Sequence, residues 1–504
     1  METTRLAGYA FLINRYHLNV PPHWHRSSVS HAGTVCSTIQ DGEVEAIYPR
    51  SYWPGETTGD HLEFALKYDG INLIILFALF ETAPVDEIIN WIRATPTGKY
   101  ARKVWFLYEF LTGLKLPLPD LTKGNYLPVL NPEEYYTTIP GRRIPRQRIV
   151  DNLLGGPSFC PMIRRTEKLA NMERMDLHQK CEAVIKVYPA ELLRRALAYL
   201  YNKETKSSFE IEHIEPSAVR IEKFISLLKM AEHKDFCEKP LLIEVQNRIV
   251  DPRFQDKDYR TNQNYIGQSM PYQKEIIHYV CPKPEDLLNL MEGLLSAHHM
   301  MKAGKVSAII HAAAISYGFV FLHPFEDGNG RIHRFLIHNI LSLQGAVPKG
   351  LMFPISATLL KHPALYDDSL EAFSKPLMQF ITYDLNDMGE MKVEEKTRHW
   401  YRYIDMTAQA EALYDFVKLT IEQELVEELN FLASYDKTKQ AIQEIVDMPD
   451  RLIDLFIRIC LQNKGRLSAK KREAYFEFLT DAELRRLENA IKLGYEEVLK
   501  RHNH

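Results

Sequence analysis

The chain has 504 residues, 25% of them charged and 45% hydrophobic. That balance excludes a mainly disordered chain, and at roughly 100–200 residues per domain it implies three or four domains. The formal net charge of -4 supplies no global basic field for nucleic acid. The N-terminus, "METTRLAGYAFLINRYHLNVPPHWH", lacks a basic segment followed by a long apolar one and does not read as a signal peptide. The longest apolar run, "LIILFALF" at Leu73 to Phe80, is far short of the ~20 residues of a spanning helix, so no membrane association is expected. Cys36, Cys160, Cys181, Cys237, Cys281 and Cys460 are scattered without CxxC spacing, which fits reduced thiols in a cytoplasmic protein.

In chain order, the first ~55 residues intersperse Pro, Gly, Ser and Thr and read as mostly irregular. From His61 to Gly113 the apolar spacing is helical, broken at "TAP" and "TPTG", which predicts three or four helices. "KLPLPDLTKGNYLPVLNPEEYYTTIPGRRIPRQR" is proline-rich with basic clusters and reads as an extended crossing. The pattern is helical again from Met172. "YRTNQNYIG" and "QKEIIHYV" are β-rich and suited to pair as a hairpin. "EDLLNLMEGLLSAHHMM" and "KVSAIIHAAAISYGFVFL" read as two helices, and helical pattern resumes after Met388, with a capping box at Thr480 and Glu483. The expected class is mostly α with a small β-hairpin. The expected regions are 1–160 (helical with an irregular start), 161–206 (helical connector), 207–388 (central core with the hairpin) and 389–504 (C-terminal helical).

The chemistry concentrates in "HPFEDGNGRIHRF", His323 to Phe335. Ile332, Phe335, Leu336, Ile340 and Leu343 fall at helical spacing, so a helix starts near Asn329 to Arg331. Gly328 and Gly330 sit at its N-terminal edge, where glycine permits close backbone approach and free N–H groups attract anions. Arg331 and Arg334, three apart, share a face and suit a polyphosphate. Pro324 disfavours continued helix at His323, which places a base at a helix-to-loop corner. Asp327, or Glu326 beside it, is an oxygen ligand for Mg²⁺. Asn329 is suited to orient a phosphate oxygen. A base, a metal ligand, an anion nest and an arginine clamp together fit nucleophilic attack on a nucleotide phosphate. GxxxxGK[ST] is absent, so this is not a Walker A loop.

These residues resemble the Fic-family motif HPFx(D/E)GNGRxxR at every specified position, over a region of about Ser207 to Leu385. The resemblance implies a mostly helical Fic-like core that transfers AMP from Mg·ATP to a Tyr, Thr or Ser hydroxyl of a target protein, for which the chain itself is one candidate. His323 would then be the catalytic base and Asp327 the Mg²⁺ ligand. Gly328, Asn329 and Gly330 would form the anion hole, and Arg331 and Arg334 would bind the β/γ side. Gly330, where the kinase-like Doc branch carries Lys, favours AMP transfer. The hairpin within Tyr259 to Tyr279 corresponds to the family's flap, with Ile266 and Gly267 near the active site; a flap clamps its target by strand addition. Ahead of the core, Ser208 and Glu212 in "SSFEIEHIEPS" resemble the inhibitory pattern (S/T)xxxE(G/N), with His213 in place of Gly or Asn. That implies a Glu212–Arg334 salt bridge and low basal activity.

Three other readings stand beside this one: a nucleotide-binding, DNA-associated regulator, a transferase using another donor, and an enzyme that removes AMP. "GRRIPRQR" and "KGRLSAKKRE" are short and read as linkers or solvated faces rather than a nucleic-acid site. "HWH" at His23 to His25, "HH" at His298 and His299, and the terminal "RHNH" lack a complementary ligand set and read as surface or packing histidines. A homodimer is compatible with all of this.

Overall fold

The computed structural model describes residues 4–31, 33–40, 42–268 and 275–496. They are mostly helical, with small sheets. The chain divides into two compact units. One comprises Met1–Met175, Ser208–Ala346 and Leu359–Phe416, and the other Asp176–Ser207, Val347–Thr358 and Val417–His504.

The start of the first unit differs from the expectation of irregular structure. Strands Arg5–Ala7, His25–Ser30, Glu43–Pro49 and Cys36–Gln40 form a four-stranded sheet in that order, with the second and third of these parallel and the outer pairs antiparallel. The sheet buries only a few apolar residues, Ala7, Val29, Ala46 and Tyr48, against Phe64. Strands such as "HRSSVS" and "CSTIQ" therefore carry little of the alternating hydrophobicity by which a strand is read. Helices Thr58–Phe64, Leu73–Thr82, Val85–Ala94 and Lys99–Thr112 follow as the periodicity predicted. Thr57 and Asp60 form a capping box at the first of them. The proline-rich crossing contributes a small sheet of Leu127–Pro128, Ile149–Asp151 and Arg142–Ile144.

The core of the first unit is built around the helix Ala308–Leu322. Every residue from Ile309 to Leu322 is buried, so a helix that is apolar on all sides becomes the central one. It pairs with the helix Asn329–Leu343 through the His323–Gly328 connection, and helices Ala218–Ala231, Lys239–Ile249 and Pro284–Ala303 surround the pair. Gly293 and Gly318 let these helices close on the buried Phe159. A Cβ on Gly293 would stand 2.7 Å from the Phe159 nitrogen, and one on Gly318 would stand 2.7 Å from its ring.

In the second unit, Ile453, Phe456, Cys460, Phe476, Leu487 and Ile491 form the core. The Thr480–Glu483 capping box opens its helix Asp481–Gly494 as read from the sequence. No helix among the described residues is long and apolar enough to cross a membrane. All six cysteines are free.

Asn339 fixes the helix Asn329–Leu343 against its neighbours. Its Oδ1 accepts from Phe236 N at 3.0 Å, and its Nδ2 donates to Ala231 O at 2.9 Å and Lys234 O at 2.7 Å. An Asn339→Leu variant orphans three backbone groups. Equilibrium urea unfolding should show a loss of about 3 kcal/mol, and a loss below about 1 kcal/mol would contradict this role.

Candidate active site

The helix Ala308–Leu322 ends at His323, which adopts φ 50° as its C-cap. The His323 Nδ1 lies 3.1 Å from Val320 O. A carbonyl only accepts, so Nδ1 carries the proton and Nε2 keeps its lone pair. Burial pushes the imidazole pKa down to about 4, against the pull of the Val320 carbonyl and with a push from the Arg260 charge. The ring is therefore neutral at physiological pH, the form a base requires.

Arg260 holds this corner. It is 5% exposed, and its Nε donates to His323 O at 2.7 Å. Nη1 donates to Asn262 O and Nη2 to Pro282 O, each at 2.7 Å, while its backbone N donates to Pro324 O at 2.9 Å. It thereby ties the base of a hairpin to the histidine. The hairpin pairs Tyr265–Gln268 with Ile276–Val280, as read from the sequence. Ile266 and Gly267 are exposed on its first strand, where the register shifts between them. Gln273 and Lys274, read as the start of the second strand, lie outside the described residues, as does the terminal "RHNH".

The loop after His323 is shaped by Asn329, whose Oδ1 accepts from Phe325 N at 3.0 Å and whose Nδ2 donates to Phe325 O at 2.7 Å. These bonds use the amide oxygen and one of its two N–H donors to shape the loop, and the backbone N–H of Asn329 stands at the helix start. Gly328 takes φ 90° as the N-cap of the helix Asn329–Leu343, a conformation that favours glycine. Gln246, fully buried, clasps the loop from outside through Asp327 O at 3.4 Å and Asp256 Oδ2 at 3.1 Å.

Arg331 and Arg334 are buried in the first turns of that helix and converge on Glu212. Arg334 Nη2 lies 2.7 Å from Glu212 Oε1. Arg331 Nε lies 2.7 Å from Oε2 without hydrogen-bond alignment, which makes that contact an ion pair only. Arg331 Nη2 also reaches Asp327 Oδ1 at 2.7 Å. Ser208 completes the set: its Oγ accepts from Arg334 Nε at 2.9 Å and its carbonyl from Nη2 at 2.6 Å. Burial alone would lower the Arg334 pKa, but Glu212, with Tyr366 beside it, holds it above the ordinary arginine value. Gly330 leaves room for this arrangement, since a Cβ there would stand 2.6 Å from Glu212 Oε1.

Backbone geometry explains how Glu212 is aimed. The helix Ala190–Glu210 closes with Ile214 N donating to Phe209 O at 3.1 Å and His213 N to Glu210 O at 2.9 Å. This is a Schellman cap, with Glu212 at the cap position and His213 just beyond it. His213 has φ 55°, the left-handed conformation that glycine and asparagine favour and that histidine tolerates better than most residues. The departure from Gly or Asn at this position thus keeps the backbone geometry.

His23, His25 and His298, and two arginines of the first basic run, make internal contacts. His23 Nε2 meets Asp69 O at 2.8 Å and His25 Nδ1 meets Asp69 Oδ1 at 3.2 Å. His298 joins Asp235 Oδ2 at 3.0 Å and His311 Nε2 at 3.0 Å. Asp235, Cys237 and His298 lie close enough together to hold an ion, but Lys302 Nζ already neutralises Asp235 at 2.8 Å. In "GRRIPRQR", Arg146 is turned inward onto Glu109 at 3.0 Å and Arg148 onto Thr122 O at 2.6 Å.

Residues 236–341 match the model of the Fic/DOC family. Two curated relatives are named Protein adenylyltransferase Fic. The one from Aedes aegypti is 30% identical over 159 residues, and the one from Culex quinquefasciatus 33% identical over 162 residues. Each match covers 30% of this chain and 28% of the relative, so the chain spans under a third of the relatives' length. Among solved structures, a Fic family protein from Desulfovibrio desulfuricans G20 is similar at 16% identity and a TM-score of 0.36, over 64% of this chain and 87% of that one. A Fic domain containing signaling protein from Bacteroides thetaiotaomicron is similar at 16% identity and a TM-score of 0.35, over 52% and 95%.

A His213→Gly variant removes the strain of a left-handed histidine. Exchange of the Ile214 amide, which closes the cap, should slow about two- to fivefold; unchanged or faster exchange would contradict the reading of the cap.

Proposed function

We propose that the chain, whose residues 236–341 match the model of the Fic/DOC family, is a protein adenylyltransferase that moves AMP from ATP to a hydroxyl side chain of a target protein. The observation that carries the proposal is a neutral His323 with a free Nε2, followed at once by a helix N-terminus and two buried guanidiniums. A site that only bound nucleotide would have no need of the base.

In this reading the target hydroxyl gives its proton to His323 Nε2 as its oxygen bonds to the α-phosphorus. The bond from that phosphorus to the bridging oxygen breaks, and pyrophosphate leaves. The backbone N–H groups of Gly328, Asn329 and Gly330 face the developing phosphate charge, and Arg331 and Arg334 hold the departing end. Asp327 is a hard oxygen donor with 41% of its side chain exposed. It would hold Mg²⁺, which needs only one or two carboxylates plus phosphate oxygens and water. When bound, that ion would offset phosphate charge.

Glu212 occupies the guanidiniums the phosphates require, and we read it as an internal brake with Ser208 as its partner. The hairpin carrying Ile266 and Gly267 would present the target segment. The acceptor is a Tyr, Thr or Ser hydroxyl.

The test is transfer of label from ATP marked at the α-phosphate. Wild type should label targets weakly, Glu212→Gly at least about tenfold faster, and Glu212→Gly with His323→Ala at least about a hundredfold slower than Glu212→Gly, the scale of lost general-base catalysis. Equal labelling by the last two forms would overturn the assignment. A pH test follows from the imidazole. Its lowered pKa, about 4, keeps the base unprotonated well below the ordinary histidine value of about 6.5. The acid limb of kcat/KM for Glu212→Gly should therefore fall below about pH 5.5; a midpoint near 6.5 would contradict the burial of the ring.

A further inference from the structure

One more guanidinium lies beside this site than the reaction above employs. Arg220, in the first turn of the helix Ala218–Ala231, donates from Nη2 to Ile249 O at 2.8 Å. Arg331 Nη1 donates to the same oxygen at 3.2 Å. Both guanidiniums also lie against the Phe209 ring, at 5.0 Å and 5.3 Å from its centroid. Two like charges sharing one carbonyl repel each other, and Arg331 is offset by two carboxylates, Glu212 and Asp327. No ion pair joins Arg220 to a carboxylate among the described residues, and its Nε is buried without a hydrogen-bond partner. Burial and the Arg331 charge lower its pKa, against the pull of Asp251, Asp327 and Glu212.

The two carboxylates that offset Arg331 are the two that the reaction takes away. Glu212 would leave when the brake opens, and Asp327 would be drawn from Arg331 to Mg²⁺. Of the carboxylates that act on Arg220, only Asp251 then remains, and it is already paired with Arg253 at 2.9 Å; a polyanion restores the balance for Arg220, Arg331 and Arg334. We propose that Arg220 is a third phosphate-binding arginine, which completes a clamp for the triphosphate end of the nucleotide. The proposal rests on the nucleotide reading of the site. A monophosphate held near His323 does not extend to the clamp, so the arginine distinguishes ATP from AMP rather than one base from another.

The experiment compares Glu212→Gly with Glu212→Gly carrying Arg220→Ala or Arg220→Lys, in the full chain, by calorimetric titration with ATP and with AMP. The Ser217 cap bonds to the backbone N of Arg220, so the helix start survives substitution, and circular dichroism checks this for each variant. Arg220→Ala should weaken ATP at least about tenfold and leave AMP within about twofold. Arg220→Lys should recover part of the ATP affinity, because it restores charge without the guanidinium fork. Unchanged ATP affinity overturns the proposal. An equal loss for both ligands also overturns it, since that is the signature of a structural prop for Arg331. Failure of Glu212→Gly itself to bind either ligand removes the nucleotide reading and the clamp together.

Discussion

One carboxylate between two buried guanidiniums organises the site. Glu212 meets Arg331 and Arg334 at 2.7 Å each, and neither arginine reaches solvent appreciably. Two positive charges cannot be buried side by side without an anion. The fold supplies one from a helix cap rather than from the helix that bears the arginines. The compensation is therefore separable, because a cap can move without repacking the core. The same charges that demand Glu212 also suit phosphate, so the requirement for an internal anion and the capacity to bind an external one have a single origin.

The rest of the core serves to hold those charges still. The helix Ala308–Leu322 is buried on every side, and the helix Asn329–Leu343 is anchored by Asn339 and pinned at its start by Asn329. Rigid elements on both sides of a short loop fix His323 and the arginines relative to one another, the preorganisation on which positioning catalysis depends. Arg260 extends that rigidity to the hairpin base. Its donors meet carbonyls of the motif and of both ends of the hairpin.

The residues that act through their own side-chain chemistry in a local pattern were legible in the sequence. His323, Asp327, Arg331 and Arg334 stand out by spacing and Thr480 with Glu483 by their capping pattern, whereas Ser208 and Glu212 were marked only by resemblance to a family pattern. The residues that escaped notice, Arg220, Arg260, Gln246 and Asn339, bond largely to backbone groups brought in from other segments. A carbonyl acceptor has no residue identity, so no sequence pattern marks its donor. The first sheet escaped for another reason: its strands bury too few side chains to show alternation, and their Ser and Thr resemble loop composition. His213 shows the reverse. It departs from the pattern at the level of letters and keeps it at the level of backbone angle.

The setting of Arg260 also bears on how the site resets. Its charge meets carbonyl oxygens rather than a carboxylate, and it lies hydrogen-bonded to the residue that would accept the proton. An imidazolium formed at this half-buried corner would be poorly hydrated and would face a neighbouring cation, which makes it a strong acid for a histidine. A proton placed on Nε2 would be surrendered readily to water. The neutral ring would thus be recovered quickly after any protonation.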